Sequence, residues 1–335
     1  MKKKARVLLV SSYQHTLVKS DEDILRNHYT ITAMNGNNRK LKIWDVPVFL
    51  FSLIYRIVSV QIIYAVFADF RTFCAALIGR ILKKKLVVVI GGYEVATVPE
   101  FNYGELLTAW GRFKVGYILK SASVIIAPSC FSAKEVGDFS GRQDIQVIHP
   151  ALKVEIPLQS KPRDTQVVMI ASAIARYYPV YRMKGIETFV EASRYLPEYK
   201  FKLIGDYETA IKEKLLQINP AMSFLGMLSH EKVLEILRTS KVYCQLSYRE
   251  SFGMAVVEAI AAGCIPVLCS GGALEEITRD YGIYVPFGDP EATVSAIRIA
   301  ASRTHDEELI GRITAACSVA ARESRLCMAM TGIDG

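Results

Sequence analysis

Two glutamates eight residues apart, Glu250 and Glu258, flank the start of a predicted helix in the second half of the chain. The stretch Ser247-Tyr-Arg-Glu250-Ser-Phe-Gly253-Met-Ala-Val-Val-Glu258 follows a strand-like run and leads directly into a helical pattern. Free backbone NH groups at a helix start can bind an anion, and glycine at position 253 lets a phosphate or sugar approach the backbone. Glu258 lies about one turn further on, where it can accept from two vicinal hydroxyls such as those of a ribose. Glutamates also flank many helix starts because of the helix dipole alone.

Further short motifs surround this pair in the same half of the chain. They are Arg182-Met-Lys184-Gly185-Ile-Glu, Leu203-Ile-Gly205-Asp206, Phe224-Leu-Gly226-Met-Leu-Ser, Ala262-Gly263-Cys-Ile-Pro266-Val and Gly271-Gly272-Ala-Leu-Glu275-Glu276. Together with Glu250 and Glu258 they resemble the E-x7-E signature and flanking motifs of the family 4 retaining glycosyltransferases. The resemblance covers about residues 165 to 290 strongly and the first half only weakly. It implies the GT-B fold, in which two Rossmann-like, doubly wound α/β domains face each other across a crevice.

The resemblance also implies a division of roles within the donor site. A lysine before a helix, here Lys184, and an arginine hold the donor diphosphate; Arg176 and Arg182 both fit the arginine's place, and Arg176 is favoured. Glu250 holds hydroxyls of the transferred sugar, and Glu258 holds the ribose. The helix start at Ser251, Phe252, Gly253 and Met254 contributes backbone groups, and Gly226 lies near the region that selects the base.

The acceptor side is less well defined by the sequence. Ile90-Gly91-Gly92-Tyr93-Glu94 ends a strand where relatives carry a histidine or aspartate, so Gly92, Tyr93 and Glu94 are the candidates there, although a simple strand-ending turn explains them equally well. Many relatives have a Gly-Gly pair after the first strand, whereas this chain has Ser11-Ser-Tyr-Gln-His15. His15 and Lys19 are candidates for binding an acceptor phosphate. The alternative for His15 is an exposed loop position without a function.

The function implied is retaining transfer of a sugar, of the hexosyltransferase type, from a nucleotide diphosphate sugar to an acceptor hydroxyl in glycan, polysaccharide or glycolipid synthesis. The expected partners are this donor and a glycan or lipid-linked acceptor, and no cofactor or metal is expected. The alternatives are a non-catalytic donor-binding subunit of a transferase complex, a GT-B nucleotide-sugar epimerase and a sugar phosphorylase.

Composition limits the compartment, the metal sites and the partners that the protein can have. The seven cysteines are scattered without a C-x-x-C pair, which favours a reducing, cytoplasmic compartment and no structural zinc. Residues 1–150 carry 20 Lys and Arg against 11 Asp and Glu, whereas residues 151–335 carry 21 against 22. A basic first half attracts anionic partners. The choices are nucleic acid, an anionic membrane surface and a phosphorylated substrate. An anionic membrane surface, contacted peripherally on its cytoplasmic face, is the first choice, and nucleic acid is weaker because no recognition motif is present.

One segment, Val46 to Phe70, is long enough for a membrane span if it were helical throughout. Arg56 and Gln61 lie near its middle, where either is costly in a bilayer. We therefore predict that the segment divides into a buried helix, Pro47 to Arg56, and a buried strand, Val60 to Phe67.

Short β-branched runs alternate with amphipathic stretches in both halves, which is typical of a parallel sheet covered by helices. Strands are predicted at Arg6–Val10, Tyr29–Ala33, Val60–Phe67, Lys85–Ile90, Val124–Ala127, Gln146–Ile148, Gln166–Ala171, Lys200–Ile204, Ser223–Leu225, Val242–Leu246, Ile265–Leu268 and Ile283–Val285. Helices are predicted between them, for example at Asp69–Leu82 and Tyr103–Lys120. We expect an acceptor-binding domain over 1–155, a nucleotide-sugar-binding domain over 156–302, and a helical tail over 303–335 that packs back on the first domain.

Overall fold

Valine- and isoleucine-rich runs form two parallel six-stranded sheets in the computed structural model. The structure describes residues 4–12, 16–36, 42–152, 164–171 and 178–331. The chain divides into two units. The first comprises Met1–Pro99, Tyr103–Lys153 and Ser318–Gly335, and the second comprises Glu100–Asn102 and Val154–Cys317. The two α/β units, each with a doubly wound parallel sheet, confirm the predicted fold class.

The first sheet has the strand order β2-β1-β3-β4-β5-β6, and every neighbouring pair is parallel. Its strands are β1 (Arg6–Ser11), β2 (Thr30–Asn35), β3 (Ile62–Val66), β4 (Lys85–Val89), β5 (Val124–Ala127) and β6 (Ile145–Val147). The central strand β3 is buried along its whole length, because helices cover both faces of a sheet of this kind. All six predicted strands of this half are present, each within two residues of the predicted ends.

Helices connect these strands within the first unit. They are α1 (Thr16–His28), α2 (Val46–Val58), α3 (Phe70–Ile81), α4 (Ala109–Ser121) and α5 (Cys130–Ser140). The buried sides of α2, α3 and α4 contribute to one hydrophobic cluster on one face of the sheet, and α1 contributes to the cluster on the other face. The segment that was considered as a membrane span divides into a helix, α2, and a buried strand, β3, as predicted. The prediction that the helix is buried is wrong, because only one side of α2 packs against the sheet and Phe51 and Tyr55 on its other side are each 76% exposed. No helix in the described ranges has the length and apolar content needed to cross a bilayer.

The predicted start of the fourth helix at Tyr103 is wrong. The helix begins at Ala109, because the side chain of Thr108 accepts a hydrogen bond from the backbone NH of Gly111 at 2.9 Å and caps the first turn. The preceding residues instead form short 3₁₀ turns, at Pro99–Phe101 and Glu105–Leu107.

The second sheet has the order β12-β11-β10-β7-β8-β9 and is also parallel throughout. Its strands are β7 (Asp164–Ala171), β8 (Lys200–Gly205), β9 (Ser223–Gly226), β10 (Ser240–Gln245), β11 (Ile265–Cys269) and β12 (Ile283–Val285). Its helices are α6 (Tyr178–Met183), α7 (Ile186–Ser193), α8 (Thr209–Ile218), α9 (His230–Thr239), α10 (Met254–Ala261), α11 (Leu274–Thr278), α12 (Pro290–Ser302) and α13 (Glu307–Ala316). The chain reverses its direction across the sheet between β7 and β10. Ligands of doubly wound sheets bind beyond the carboxyl ends of the strands at such a switch point.

The C-terminal part of the chain is shared between the units. Helix α13 belongs to the second unit, whereas the last helix, α14 (Val319–Met330), belongs to the first and packs beside α1. The anchor of α14 is Arg322, which is 2% exposed. Its guanidinium donates two hydrogen bonds to the carboxylate of Asp21, with N···O distances of 2.6 and 2.8 Å. It also donates to the backbone carbonyls of Ile148 and His149. Tyr64 donates to the same carboxylate at 2.7 Å, and burial raises the pKa of Tyr64 well above its usual range.

This buried pair generates a stability prediction. Arg322→Ala leaves Asp21 as an uncompensated buried charge, which costs about 3–5 kcal/mol. We expect a clearly lower midpoint of thermal unfolding, measured by circular dichroism. Arg325→Ala, on the exposed side of the same helix, is the matched control and should leave the midpoint within experimental error. Equal shifts for the two variants would contradict the anchoring role.

Candidate functional site

The loop between β10 and α10 lies at the carboxyl end of β10, beside β7, and is held in place by its backbone. The NH of Tyr248 donates to the carbonyl of Met183 at 2.7 Å, and the carbonyl of Glu250 accepts from the NH of Ala273 at 2.8 Å. The loop is therefore fastened to the segment before α7 on one side and to the segment before α11 on the other. Three chain segments that are distant in sequence meet at this point.

Two glycines permit this close approach. A Cβ atom on Gly272 would lie 2.1 Å from the carbonyl oxygen of Glu250, which is far inside van der Waals contact. Gly253 has a φ of 93°, which disfavours residues with a side chain, and it directly precedes α10. Glycine at 253 therefore has a conformational cause, whereas the predicted approach of a ligand to its backbone stays a prediction.

The structure brings Lys184 and Glu250 together. The Nζ atom of Lys184 lies 3.1 Å from Oε2 of Glu250, with the two side chains 16% and 20% exposed. The sequence separation is 66 residues, so only the tertiary structure reveals this ion pair. A lysine ammonium is a compact charge suited to a phosphate oxygen, and a carboxylate accepts from hydroxyls. Both groups remain partly accessible, so a ligand carrying phosphate and hydroxyls can bind to each of them.

A buried chain of hydrogen-bonded polar side chains supports Glu250, and the sequence did not predict it. Gln245 is 4% exposed. Its amide donates to Oγ of Ser247 at 2.7 Å and to Oε2 of Glu250 at 3.3 Å, and its oxygen accepts from the hydroxyl of Tyr243 at 2.7 Å. Burial, with the charges of Glu250 and Glu258, raises the pKa of Tyr243 well above its usual range. The available signal was the spacing of Tyr243 and Gln245, two residues apart and so on the same face of a buried strand.

Glu258 has a partner that the sequence did not indicate. Its Oε1 atom lies 2.9 Å from Nε2 of His230, the first residue of α9. Glu258 is 17% exposed and His230 is 53% exposed. Glu258 is thus held at the edge of the helix pair α9 and α10 and stays accessible there.

The other predicted donor residues lie around the same strand ends. Arg182 is exposed and pairs with Glu187 at 3.8 Å rather than with Glu250. Gly226 ends β9, and its NH donates to the hydroxyl of Tyr207 at 2.7 Å. In the loop before α10, Phe252 is buried and Ser251 is partly exposed, and Met254, the first residue of α10, is also partly exposed. Arg176 lies outside the described residues.

On the first unit, the segment Gly92–Glu94 follows β4. Glu94 is 6% exposed, and its carboxylate accepts hydrogen bonds from the backbone NH groups of Ala68, Gly91 and Gly92 at 3.2, 3.1 and 2.8 Å. Burial raises the pKa of Glu94, while these hydrogen bonds act in the opposite direction. The glutamate therefore organises the turn after β4, and Tyr93, 45% exposed, is the side chain presented to solvent. Lys19 is exposed on α1, and His15 lies outside the described residues.

Comparison with known proteins gives a family match for the second unit. Residues 173–312 match the family model described as glycosyl transferases group 1. That span contains every donor-site residue predicted here.

Two curated relatives have related names. The D-inositol 3-phosphate glycosyltransferase of Mycobacteroides abscessus is 27% identical over 169 residues, covering 46% of this chain and 36% of that protein. A phosphatidylinositol N-acetylglucosaminyltransferase subunit of Arabidopsis thaliana is 28% identical over 131 residues, covering 37% of this chain and 29% of that protein. The matched part of the chain spans well under half the length of these relatives.

Solved structures resemble the whole chain in fold. Sucrose-phosphate synthase from Thermosynechococcus elongatus has a TM-score of 0.76 at 16% identity, covering 97% of this chain and 98% of that chain. Anabaena HepE, solved in complex with UDP and glucose, has a TM-score of 0.74 at 14% identity, covering 98% and 99%. The fold is therefore GT-B. The family match and the fold together support a glycosyltransferase.

The buried polar chain generates a prediction. Gln245→Leu replaces the amide with an apolar side chain of similar size and leaves the buried hydroxyl of Tyr243 without a partner, which costs about 1–3 kcal/mol. We expect this variant to have a lower midpoint of thermal unfolding. Adding Tyr243→Phe should restore part of the lost midpoint, because the unsatisfied hydroxyl is then removed. Strictly additive effects of the two substitutions would show that the two side chains are not coupled.

Proposed function

We propose that this protein is a retaining glycosyltransferase of the hexosyltransferase type, which moves a sugar from a nucleotide diphosphate sugar to an acceptor hydroxyl. The observation that carries the proposal is the Lys184–Glu250 pair beside the start of α10, at the switch point of the second sheet. The relatives' names, which include inositol and phosphatidylinositol glycosyltransferases, favour a glycan or lipid-linked acceptor in glycan, polysaccharide or glycolipid synthesis.

In this proposal the donor diphosphate binds to Lys184 and to the backbone NH groups that open α10, with Arg176 as the favoured arginine and Arg182 as the alternative. Preorganised positive groups of this kind stabilise charge that develops on a leaving phosphate. In the structure, Glu250 is the counter-ion of Lys184. A bound donor offers a partner to each member of the pair, phosphate to the lysine and sugar hydroxyls to the glutamate.

Retention is proposed to need no protein nucleophile. The bond between the anomeric carbon and the phosphate oxygen breaks, and its electron pair stays on the diphosphate. The acceptor oxygen then forms the new bond on the same face of the sugar, and its proton passes to the leaving phosphate oxygen. Glu250 orients the sugar, and Glu258 binds the ribose with His230 beside it. We propose that no metal or cofactor takes part, so that activity is expected to persist in EDTA.

The diphosphate role is tested by Lys184→Ala. We expect affinity for a nucleoside diphosphate to fall roughly 10- to 100-fold, since a hydrogen bond to a charged group is lost, while affinity for the nucleoside changes little. The base is chosen first by thermal stabilisation with a panel of nucleotide sugars, and affinities are then measured by calorimetry. Lys214→Ala, an exposed lysine of the same unit that pairs with Glu187, is the control. Equal losses for diphosphate and nucleoside would refute the assignment.

The two glutamates are expected to differ in their kinetic effects. Glu250→Gln should lower kcat by roughly 10-fold or more with a small change in donor affinity, because its contact with the reacting sugar strengthens in the transition state. Glu258→Gln should mainly weaken donor binding. Steady-state kinetics with varied donor separates the two effects. Wild-type kcat for the first variant, or unchanged donor affinity for the second, would contradict the division of roles.

A second candidate is a non-catalytic donor-binding subunit. It is favoured by the burial of Glu94, which commits the acceptor-side carboxylate to backbone NH groups, and one of the relatives is itself named as a subunit. Slow hydrolysis of the donor by the purified chain without acceptor would support the enzyme. Binding without hydrolysis or transfer would support the subunit. Release of an altered free sugar would instead indicate an epimerase.

A further inference from the structure

The outward side of α2 is apolar although it faces solvent. Phe49, Leu53 and Ile57 are buried against the sheet. On the opposite side, Phe51 and Tyr55 are each 76% exposed. A helix at the surface of a globular protein normally carries polar residues on this side, so α2 has the composition of a helix that is covered on both sides.

The neighbouring helices extend this surface. Helices α2, α3 and α4 lie side by side, because α3 contacts both of the others and all three pack on the same face of the first sheet. Ile81 on α3 is 73% exposed, and Trp110 and Phe113 on α4 are 52% and 58% exposed. The rings of Trp110 and Phe113 lie 5.6 Å apart. We call this surface the apolar helix face, defined by Val48, Phe51, Tyr55, Ile81, Trp110 and Phe113.

Basic groups accompany the apolar helix face. Residues 42–121, which include all three helices, contain ten Lys and Arg against five Asp and Glu. Asp69 is used as the helix cap of α3, where it accepts from the NH of Thr72, and Glu94 is buried. Lys83, which follows α3, and Lys85, the first residue of β4, are exposed. Between them, Lys84 donates to the carbonyls of Val58 and Val60 at 3.1 and 2.7 Å and so links the end of α3 to the end of α2.

We propose that the apolar helix face docks on an anionic lipid bilayer, with its aromatic side chains in the headgroup region and Lys83 and Lys85 on anionic headgroups. Aromatic and aliphatic side chains flanked by lysine and arginine are the composition of an interfacial helix. Helix α2 has 13 residues, about 20 Å, whereas a span needs about 20 residues. It therefore lies in the interface and does not cross it.

Charge also disfavours a second copy of the chain as the occupant of this face. Two copies docked face to face would bring two sets of excess basic groups together, which is repulsive. An anionic surface has the complementary sign. The proposal concerns where the protein is held and does not depend on the transfer reaction, so vesicle binding and catalysis can be tested separately.

The test is flotation of the full chain with phosphatidylcholine vesicles that contain, or lack, roughly one third phosphatidylglycerol. We expect binding to the anionic vesicles and much weaker binding to the neutral ones. The double variants Phe51→Ser/Tyr55→Ser and Lys83→Gln/Lys85→Gln should each lower the partition coefficient on the order of 10-fold or more. Tyr195→Ser, which changes a tyrosine 59% exposed in the other unit, is the matched control and should bind as the parent does.

Folding of each variant is checked by its thermal unfolding midpoint, which should not change because the substituted side chains are exposed. Absence of vesicle binding by the parent protein would overturn the proposal, as would unchanged binding by both double variants. Equal binding to neutral vesicles would overturn the electrostatic part. A dimer in gel filtration that dissociates on Phe51→Ser/Tyr55→Ser would assign the face to a second copy instead.

Discussion

The parallel arrangement of the second sheet is the constraint on which the candidate site depends. Parallel strands all end at the same edge, so the loops that follow β7, β9, β10 and β11 emerge side by side. Lys184, Glu250 and Gly272 come from three of these loops, and each reaches the others without a long connection. The strand order adds the switch point between β7 and β10, where adjacent loops diverge and leave room for a ligand.

Two glutamates that follow strand ends, Glu94 and Glu250, have opposite environments. They show how burial decides whether a carboxylate can bind a ligand. Glu94 turns inward, and its carboxylate accepts from three backbone NH groups, so its hydrogen-bonding capacity is used by its own turn. Glu250 points at Lys184 and is supported by Gln245, with a fifth of its side chain exposed. Of these two carboxylates, the second has a partner that a ligand can replace. The polar groups below it are satisfied by one another, which holds the carboxylate in one place.

The first unit combines a buried ion pair with an unusually apolar exterior. Arg322 and Asp21 bind each other inside the cluster that α1 and α14 form, where an unpaired charge would be costly. On the other face of the sheet, α2 to α4 expose aromatic rings beside lysines. Part of the excess of Lys and Arg in this half of the chain therefore lies near an apolar surface. This combination suits a partner surface that is both apolar and negatively charged.

The sequence by itself determined the strands of both sheets and the two-unit α/β class, and it singled out the motif around Glu250 and Glu258 as the candidate donor site. These follow from local patterns: continuous apolar runs in a parallel sheet, helical periodicity between them, and a glycine directly before a helix start. It did not reveal the pairing of Lys184 with Glu250, the buried chain through Gln245 and Tyr243, or the contact of His230 with Glu258. It also left Glu94 as an acceptor-side candidate with no sign of its burial, and misplaced the start of α4 by several residues. Those features depend on which distant segments meet and which side chains lose contact with water, and a single sequence carries no direct record of either.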